Sequence, residues 1–419
     1  MNNIVKSLSG FVKQSAAYVI FNMLEKIIPF VTLPIIIRKV SVEGYGDYSF
    51  YITIETVLIP ILSLNLSNMI YREFYKKKSD IGKYVSNLFW GYCILAVLFV
   101  IPFCIVFTIL KAKLGFSDQL IASLFITSLS FCFADIVTMI FRLKQKVLNY
   151  GLWQVFRTLT IFSLLLASVY LSPSFSNLVY SRVVALLFVF VIAVAVLLKM
   201  KMLTFVFDKL LFKQMLMFSL PTVLYSLSSF LFSFSDRFVI KQILGSEALG
   251  FYSGIYQLSA VMSILVVAFN VAWMPWLFEK LSTNSIYAKR EVVKVSYYLM
   301  LAFIAVGLLW CLIFPFIANL MLIPDYKPFY TMRWLLIFSF VFHGIYCIVS
   351  PYTYYVGKTK LNAYIGIGTA IINVCLNIIL VPIIGIWGSA ISLLLTWITQ
   401  SVLFFFVSFK IYDMPWFKK

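Results

Sequence analysis

Eight charged residues stand inside stretches otherwise built from Leu, Ile, Val and Phe: Glu25, Lys26, Glu55, Asp135, Arg157, Arg182, Asp236 and Arg237. At about 3 kcal/mol per uncompensated charge at mid-helix, eight would cost on the order of 24 kcal/mol in hydrocarbon as an upper bound. They must therefore pair with one another or face water. Lys26, Arg157, Arg182 and Arg237 are the available cations. The planar guanidinium fork can donate two parallel hydrogen bonds to a phosphate or carboxylate, whereas the lysine ammonium acts as a point charge. These four are the candidate substrate-binding residues. The bland alternative is that the arginines snorkel to the nearer interface or tie to Asp135 and Asp236. Glu25, Glu55, Asp135 and Asp236 form the matching set of carboxylates. In a low-dielectric site such a group takes up a proton readily, so they can couple to a proton or sodium ion or simply neutralise the cations. His343, mid-helix, can relay protons, but a single interhelical hydrogen bond is its ordinary role.

The elements that must position these residues are transmembrane helices. Of the 419 residues 63% are hydrophobic and only 12% charged, more apolar surface than a water-soluble fold can hide. Apolar runs long enough to cross about 30 Å of hydrocarbon recur along the chain, about twelve in all. In the first half they are Ser15 to Ile37, Tyr45 to Leu66, Tyr84 to Leu110, Leu120 to Phe141, Leu152 to Leu171 and Leu178 to Leu198. In the second they are Met215 to Ile240, Leu249 to Val271, Val295 to Leu320, Thr331 to Ser350, Leu361 to Val381 and Ile386 to Phe409. The runs are continuous, without strand alternation, so the class is an all-α integral membrane protein rather than a barrel. The apolar stretch following Lys6 and Lys13 is long and has no small-residue cleavage site, which makes it a retained first helix rather than a signal peptide.

The net charge of +19 does not mark a nucleic-acid binder, because no solvated domain gathers the basic residues. Most of the 34 lysines and arginines fall in the termini and even-numbered loops, as in Lys199, Lys201, Lys209 and Lys213. That asymmetry places both termini in the cytoplasm. All six cysteines sit in apolar runs without metal-ligand spacing and read as packing residues. Pro29, Pro34, Pro60, Pro102 and Pro221 are hinge candidates, since proline removes a helical hydrogen bond.

A repeat divides the chain. Glu43-Gly44-Tyr45-Gly46-Asp47-Tyr48-Ser49 is echoed by Glu247-Ala248-Leu249-Gly250-Phe251-Tyr252-Ser253, sharing E-x-x-G-x-Y-S. From Glu43 to Glu247 the offset is 204 residues, one six-helix unit. Because six is even, the halves share one orientation. The expected organisation is a six-helix lobe 1–198, a basic cytoplasmic linker 199–214 and a second six-helix lobe 215–419.

Taken in order, the turn with Glu43, Gly46 and Tyr48, then Asp236-Arg237 with Gly245, Gly250 and Tyr252, Gly357-Lys358, Asn373 and Asn377, and Gly385-Ile386-Trp387-Gly388-Ser389-Ala390 resemble the O-antigen flippases (Wzx type). These belong to the multidrug, oligosaccharidyl-lipid and polysaccharide exporter (MOP, MATE-like) superfamily. Val40-Ser41 stands where family members often have Leu-Gly, and Gly388-Ser389-Ala390 where they often have Gly-Ala-Ala; both blur the subgroup. The resemblance implies a non-enzymatic transporter in the bacterial inner membrane. It would carry undecaprenyl-pyrophosphate-linked oligosaccharide repeat units from the cytoplasmic to the periplasmic leaflet by alternating access, without a cofactor other than a coupling H+ or Na+. It also implies partnership with the polymerase and chain-length regulator of the same pathway.

Absences narrow the choice. Gly357-Lys358-Thr359 looks like the end of a phosphate-binding loop, but Tyr352 stands where the first glycine is required. No H-E-x-x-H or serine elbow occurs, and no loop is long enough for the O-antigen polymerase alternative. A MATE-type multidrug or cation antiporter should line its cavity with acids and aromatics, which leaves buried cations unexplained. Lipid II flippases, a further alternative, are typically longer by two helices.

Overall fold

The computed structural model describes residues 2–77, 81–283 and 285–416; the side chains of residues 2–19, Lys6 and Lys13 among them, lie outside the described set. Fourteen α-helices account for nearly all of these residues. They are α1 (Asn2–Lys39), α2 (Val42–Ser63), α3 (Ser67–Lys77), α4 (Ile81–Leu114), α5 (Asp118–Leu143), α6 (Val147–Leu171) and α7 (Phe175–Lys199), then α8 (Lys209–Ser259), α9 (Val261–Ser282), α10 (Ile286–Met321), α11 (Arg333–Val349), α12 (Pro351–Tyr355), α13 (Thr359–Ile384) and α14 (Ile386–Ile411). A 3-10 segment, Pro324–Met332, leads into α11. Among the described residues, ten helices are long and apolar enough to cross a membrane. Two further helical passages, α2 with Glu43, Asp47 and Glu55 on it and the first part of α8, cover the remaining expected segments. Helices continue through Pro29, Pro34, Pro60, Pro102 and Pro221. The break in α8 falls instead at Gly245, whose φ of 86° is open to glycine at little cost.

The chain forms two compact units, Met1–Leu227 and Ser228–Lys419. In the first, α5 is the central helix. It packs against α2, α4, α6 and α7, and Ala134, Val137 and Ile140 on it are completely buried. Around α5 the outer helices expose apolar side chains, such as Val97, Ile101 and Leu171, as lipid-facing surfaces do. In the second unit the 3-10 segment and α11 take the central place, packed against α9, α10 and α14. α5 begins at Asp118 and that segment at Pro324, close to the spacing of the E-x-x-G-x-Y-S repeat. The internal repeat therefore extends from a short motif to the choice of central helix.

Local sequence explains the helix ends. Ser41 caps α2, its Oγ accepting from the Gly44 amide at 3.1 Å, and Glu43 lies in the positively polarised first turn. Ser117 and Ser174 cap α5 and α7 in the same way. Between α13 and α14, Gly385 turns the chain with φ 63°, and a Cβ on Gly388 would sit 2.6 Å from the Leu380 carbonyl carbon. The two helices can approach this closely only with glycine there.

The segment between α7 and α8 is fastened to α4. Asn87 exchanges two hydrogen bonds with the Asp208 backbone, at 2.8 and 3.1 Å. Ser86 donates to the Thr204 carbonyl at 2.6 Å, and the Trp90 indole donates to the same oxygen at 2.8 Å. Lys83 pairs with Asp208 at 2.8 Å. The Asp208 carboxylate also accepts from the Leu210 and Leu211 amides, which caps α8. With the Lys83 hydrogen bond as the leading cause, the Asp208 carboxyl is held below its ordinary range.

Candidate functional site

In the first unit, three helices bring polar residues onto one connected patch. On α6, Tyr150, Gln154 and Arg157 follow i, i+4, i+7 spacing and so share a face. Asn22 and Glu25 are one turn apart on α1, and Asp135 and Arg142 two turns apart on α5. The Arg157 Nη2 donates to Glu25 Oε1 at 3.0 Å, and its Nη1 lies 3.8 Å from Asp135 Oδ1. Gln154 donates to Glu25 Oε2 at 3.0 Å and to the Tyr150 hydroxyl at 3.3 Å. Tyr150 in turn donates to Asn22 at 2.8 Å and accepts from Arg142 at 3.2 Å. Arg142 also interacts electrostatically with Tyr71 on α3.

Burial is graded across the patch. Arg157 is 4% exposed and lies over the Phe131 ring, its guanidinium carbon 4.7 Å from the centroid. The side chains of its two carboxylate neighbours are 30% and 49% exposed. Lys26, interacting electrostatically with Glu25, is exposed, as is Arg142. Two groups have unspent hydrogen-bonding capacity: Arg157 Nη1 and Gln154 Oε1 are both buried without a hydrogen-bond partner. An unpaired buried donor or acceptor costs about 1–3 kcal/mol, so a ligand that supplied acceptors to Nη1 would recover that energy. Together, Lys26, Arg142 and Arg157 set three cations against Glu25 and Asp135, an arrangement suited to an anion.

The remaining candidates lie in two closed ion pairs. Arg182 on α7 grips Glu55 on α2 through two bonds, Nε to Oε2 at 2.7 Å and Nη2 to Oε1 at 3.2 Å. Glu55 is 1% exposed. Tyr48 lies within electrostatic reach of Arg182, while neighbouring Tyr51 is held by Ser123 and Thr127 at 2.9 and 3.2 Å. In the second unit Arg237 bonds the carboxylate of Asp236, the residue before it, at 3.1 Å, and Tyr252 donates to the same carboxylate. The Arg237 guanidinium lies 4.4 Å from the Tyr256 ring centroid, in cation–π contact. Nearby, Asn373 accepts from Ser235 at 2.8 Å and donates to Thr396 at 3.0 Å, and Ser389 donates to Asn377 at 2.6 Å. The motif asparagines thus stitch α8, α13 and α14 together. His343 stacks on Trp397 with ring centroids 4.1 Å apart.

Of the eight charged candidates, then, Glu25, Lys26, Asp135 and Arg157 share one patch, and Glu55 with Arg182 and Asp236 with Arg237 form separate buried pairs. Sequence reasoning missed Arg142, Tyr150 and Gln154. The expected fourth helix ended at Phe141, which left Arg142 in a loop; its two-turn spacing from Asp135 was the signal. Tyr150 fell just outside the expected helix at Leu152 for the same reason, and Gln154, being uncharged, drew no attention.

Two helical units in a multi-pass membrane protein, each with charged side chains held inside it, have a MATE-like fold, as the following likenesses show. The structure matches an inward-facing multidrug resistance MATE family transporter of the MOP superfamily with TM-score 0.69, at 12% identity and covering 94% of each chain. It matches the lipid II flippase MurJ in an inward closed conformation with TM-score 0.70, at 16% identity over 93% of this chain and 87% of that one. In sequence, the chain is 25% identical over 396 residues to "Lsg locus putative protein 1" of Haemophilus influenzae, covering 90% of this chain and 94% of that protein. Residues 11–281 match the family model described as polysaccharide biosynthesis protein. The chain belongs to that polysaccharide biosynthesis family.

Proposed function

We propose that this protein is a flippase that moves undecaprenyl-pyrophosphate-linked oligosaccharide repeat units, of O-antigen or a similar surface polysaccharide, from the cytoplasmic to the periplasmic leaflet of the bacterial inner membrane. The observation that carries this reading is the Nη1 of buried Arg157, without a hydrogen-bond partner, on a polar patch that also holds exposed Arg142, with exposed Lys26 next to Glu25 on α1. A pyrophosphate offers many acceptor oxygens and a charge that such a patch can bind through two guanidinium forks and the Lys26 point charge. Family membership supports a polysaccharide-pathway cargo, and the fold shared with MurJ, named for a lipid-linked substrate, supports a lipid-linked one.

In this mechanism both termini face the cytoplasm, as the lysine and arginine asymmetry favours. Headgroup entry onto Arg157 competes with Glu25 and Asp135 for the guanidinium. Either carboxylate, once released, can take up a proton or sodium ion, which would couple cargo binding to an ion gradient. Arg182 and Arg237, engaged by Glu55 and Asp236, hold their helices together rather than meet the headgroup. The polymerase and chain-length regulator of the same pathway are the proposed working partners.

The test is translocation in liposomes carrying an undecaprenyl-pyrophosphate oligosaccharide, with sugar accessibility at the opposite face followed over time. Protein-dependent flipping that Lys26→Ala slows supports the proposal. No flipping of that lipid, together with counter-ion-driven movement of organic cations in the same vesicles, would replace it with the multidrug antiporter reading.

A further inference from the structure

The segment between α7 and α8 is tied to α4 by its backbone, yet it turns apolar side chains outward. Phe205 is 93% exposed, Val206 68% and Leu210 67%. The Trp90 indole, besides donating to Thr204, lies 5.8 Å from the Phe205 ring. From this aromatic mouth an apolar groove of about 570 Å³ runs along α4, lined by Trp90, Ile94, Val97, Leu98, Phe205 and Phe207. Further along α4, Ile101 and Ile105 are also exposed. The same segment and the helix ends it joins carry Lys199, Lys201, Lys209 and Lys213, all exposed.

The segment joins the ends of two membrane-crossing helices, so it lies at the level where hydrocarbon meets water. Exposed aromatics over a helix end anchor at that level, and a fixed apolar loop flanked by lysines has the makings of an interfacial contact. The groove continues down a lipid-facing helix, and only a ligand with a long apolar chain follows such a path. The lysines select its charge. We propose that this groove is a binding site for an anionic phospholipid, with the phosphate of its headgroup on the lysines and one acyl chain along α4 between Val97 and the Phe205 ring. The site is separate from the Arg157 patch and does not depend on which cargo the protein carries.

The experiment is native mass spectrometry of the purified protein titrated with phosphatidylglycerol or phosphatidylcholine. It is paired with quenching of tryptophan fluorescence by phosphatidylglycerol brominated on the acyl chain. Each lysine near a membrane surface favours an anionic lipid by about five-fold, so the intact protein should prefer phosphatidylglycerol by at least about ten-fold. Joint replacement Lys199→Gln, Lys201→Gln, Lys209→Gln and Lys213→Gln touches only exposed side chains and should remove that preference. Trp90→Phe should lower the quenchable fraction of fluorescence. Equal retention of the two lipids, a preference that survives replacement of all four lysines, or quenching unchanged by Trp90→Phe would each overturn the proposal. Stronger retention of undecaprenyl phosphate than of phosphatidylglycerol on the same lysines would assign the groove to a polyprenyl tail and overturn it too.

Discussion

Tyr48 and Tyr252 occupy the same place in the two copies of the repeat, and each meets a buried arginine–carboxylate pair. Tyr48 lies within electrostatic reach of the Arg182 that holds Glu55, and Tyr252 donates to the Asp236 that holds Arg237. The tyrosine is common to both units, whereas the ion pair is assembled from two helices in the first and from adjacent residues in the second. A hydroxyl that can donate or accept serves either member of such a pair.

Removing either hydroxyl should therefore loosen its unit. Tyr48→Phe and Tyr252→Phe are each expected to lower stability by about 1 kcal/mol, between the average for hydrogen bonds inside membrane proteins and that for bonds to charged groups. The midpoint of thermal unfolding in detergent checks this, and an unchanged midpoint in both variants would refute it.

Arg182→Ala leaves the Glu55 carboxylate buried without its counter-ion, which should cost about 3–5 kcal/mol. Accumulation of folded protein should fall sharply, as read by gel filtration of a fluorescent fusion. The double replacement Glu55→Met with Arg182→Met should regain much of the loss, because two apolar side chains of similar size remove the stranded charge.

Arg157→Lys keeps the positive charge but loses the planar fork. If the headgroup binds there, flipping of the lipid-linked oligosaccharide should fall by about ten-fold, the loss of one charge-assisted hydrogen bond, with protein levels near normal. Flipping at the normal rate in both Arg157→Lys and Lys26→Ala would remove the headgroup role from this patch.

Acidification should release the segment between α7 and α8. The Asp208 carboxyl is depressed by its hydrogen bond to Lys83, so the stability it contributes is present above the ordinary carboxylate range near pH 4 and is lost as pH falls through the lower value of the folded state. Hydrogen-exchange protection of residues 200–208, taken relative to intrinsic exchange at each pH, should fall below about pH 4 in the native protein. In Asp208→Asn that protection should be lower at neutral pH and should not change on acidification.

Gly388→Ala should force α13 and α14 apart, since the added carbon would press on the Leu380 backbone, which cannot swing away as a side chain can. A loss of about 1–3 kcal/mol is expected for such overpacking, again from thermal unfolding.

The helices were legible in the sequence because a lipid-facing run must be long, apolar and uninterrupted, and each expected segment falls on a helical passage. The repeat was legible too, since its Glu, Gly and Tyr recur at one spacing. What periodicity does not reveal is which helix faces which. Glu25 meets an arginine on α6 and Glu55 one on α7, pairings made across more than a hundred residues by packing around α5. Nor does hydropathy show that Arg142, one residue beyond an expected helix end, belongs to the same face as Asp135.

The Glu55–Arg182 pair also has a history during synthesis. Its partners are 127 residues apart, and chains grow at roughly 5–20 residues per second. Glu55 therefore waits on the order of ten seconds before its arginine leaves the ribosome, a delay in which α2 must stay hydrated, protonated or sheltered by the insertion machinery.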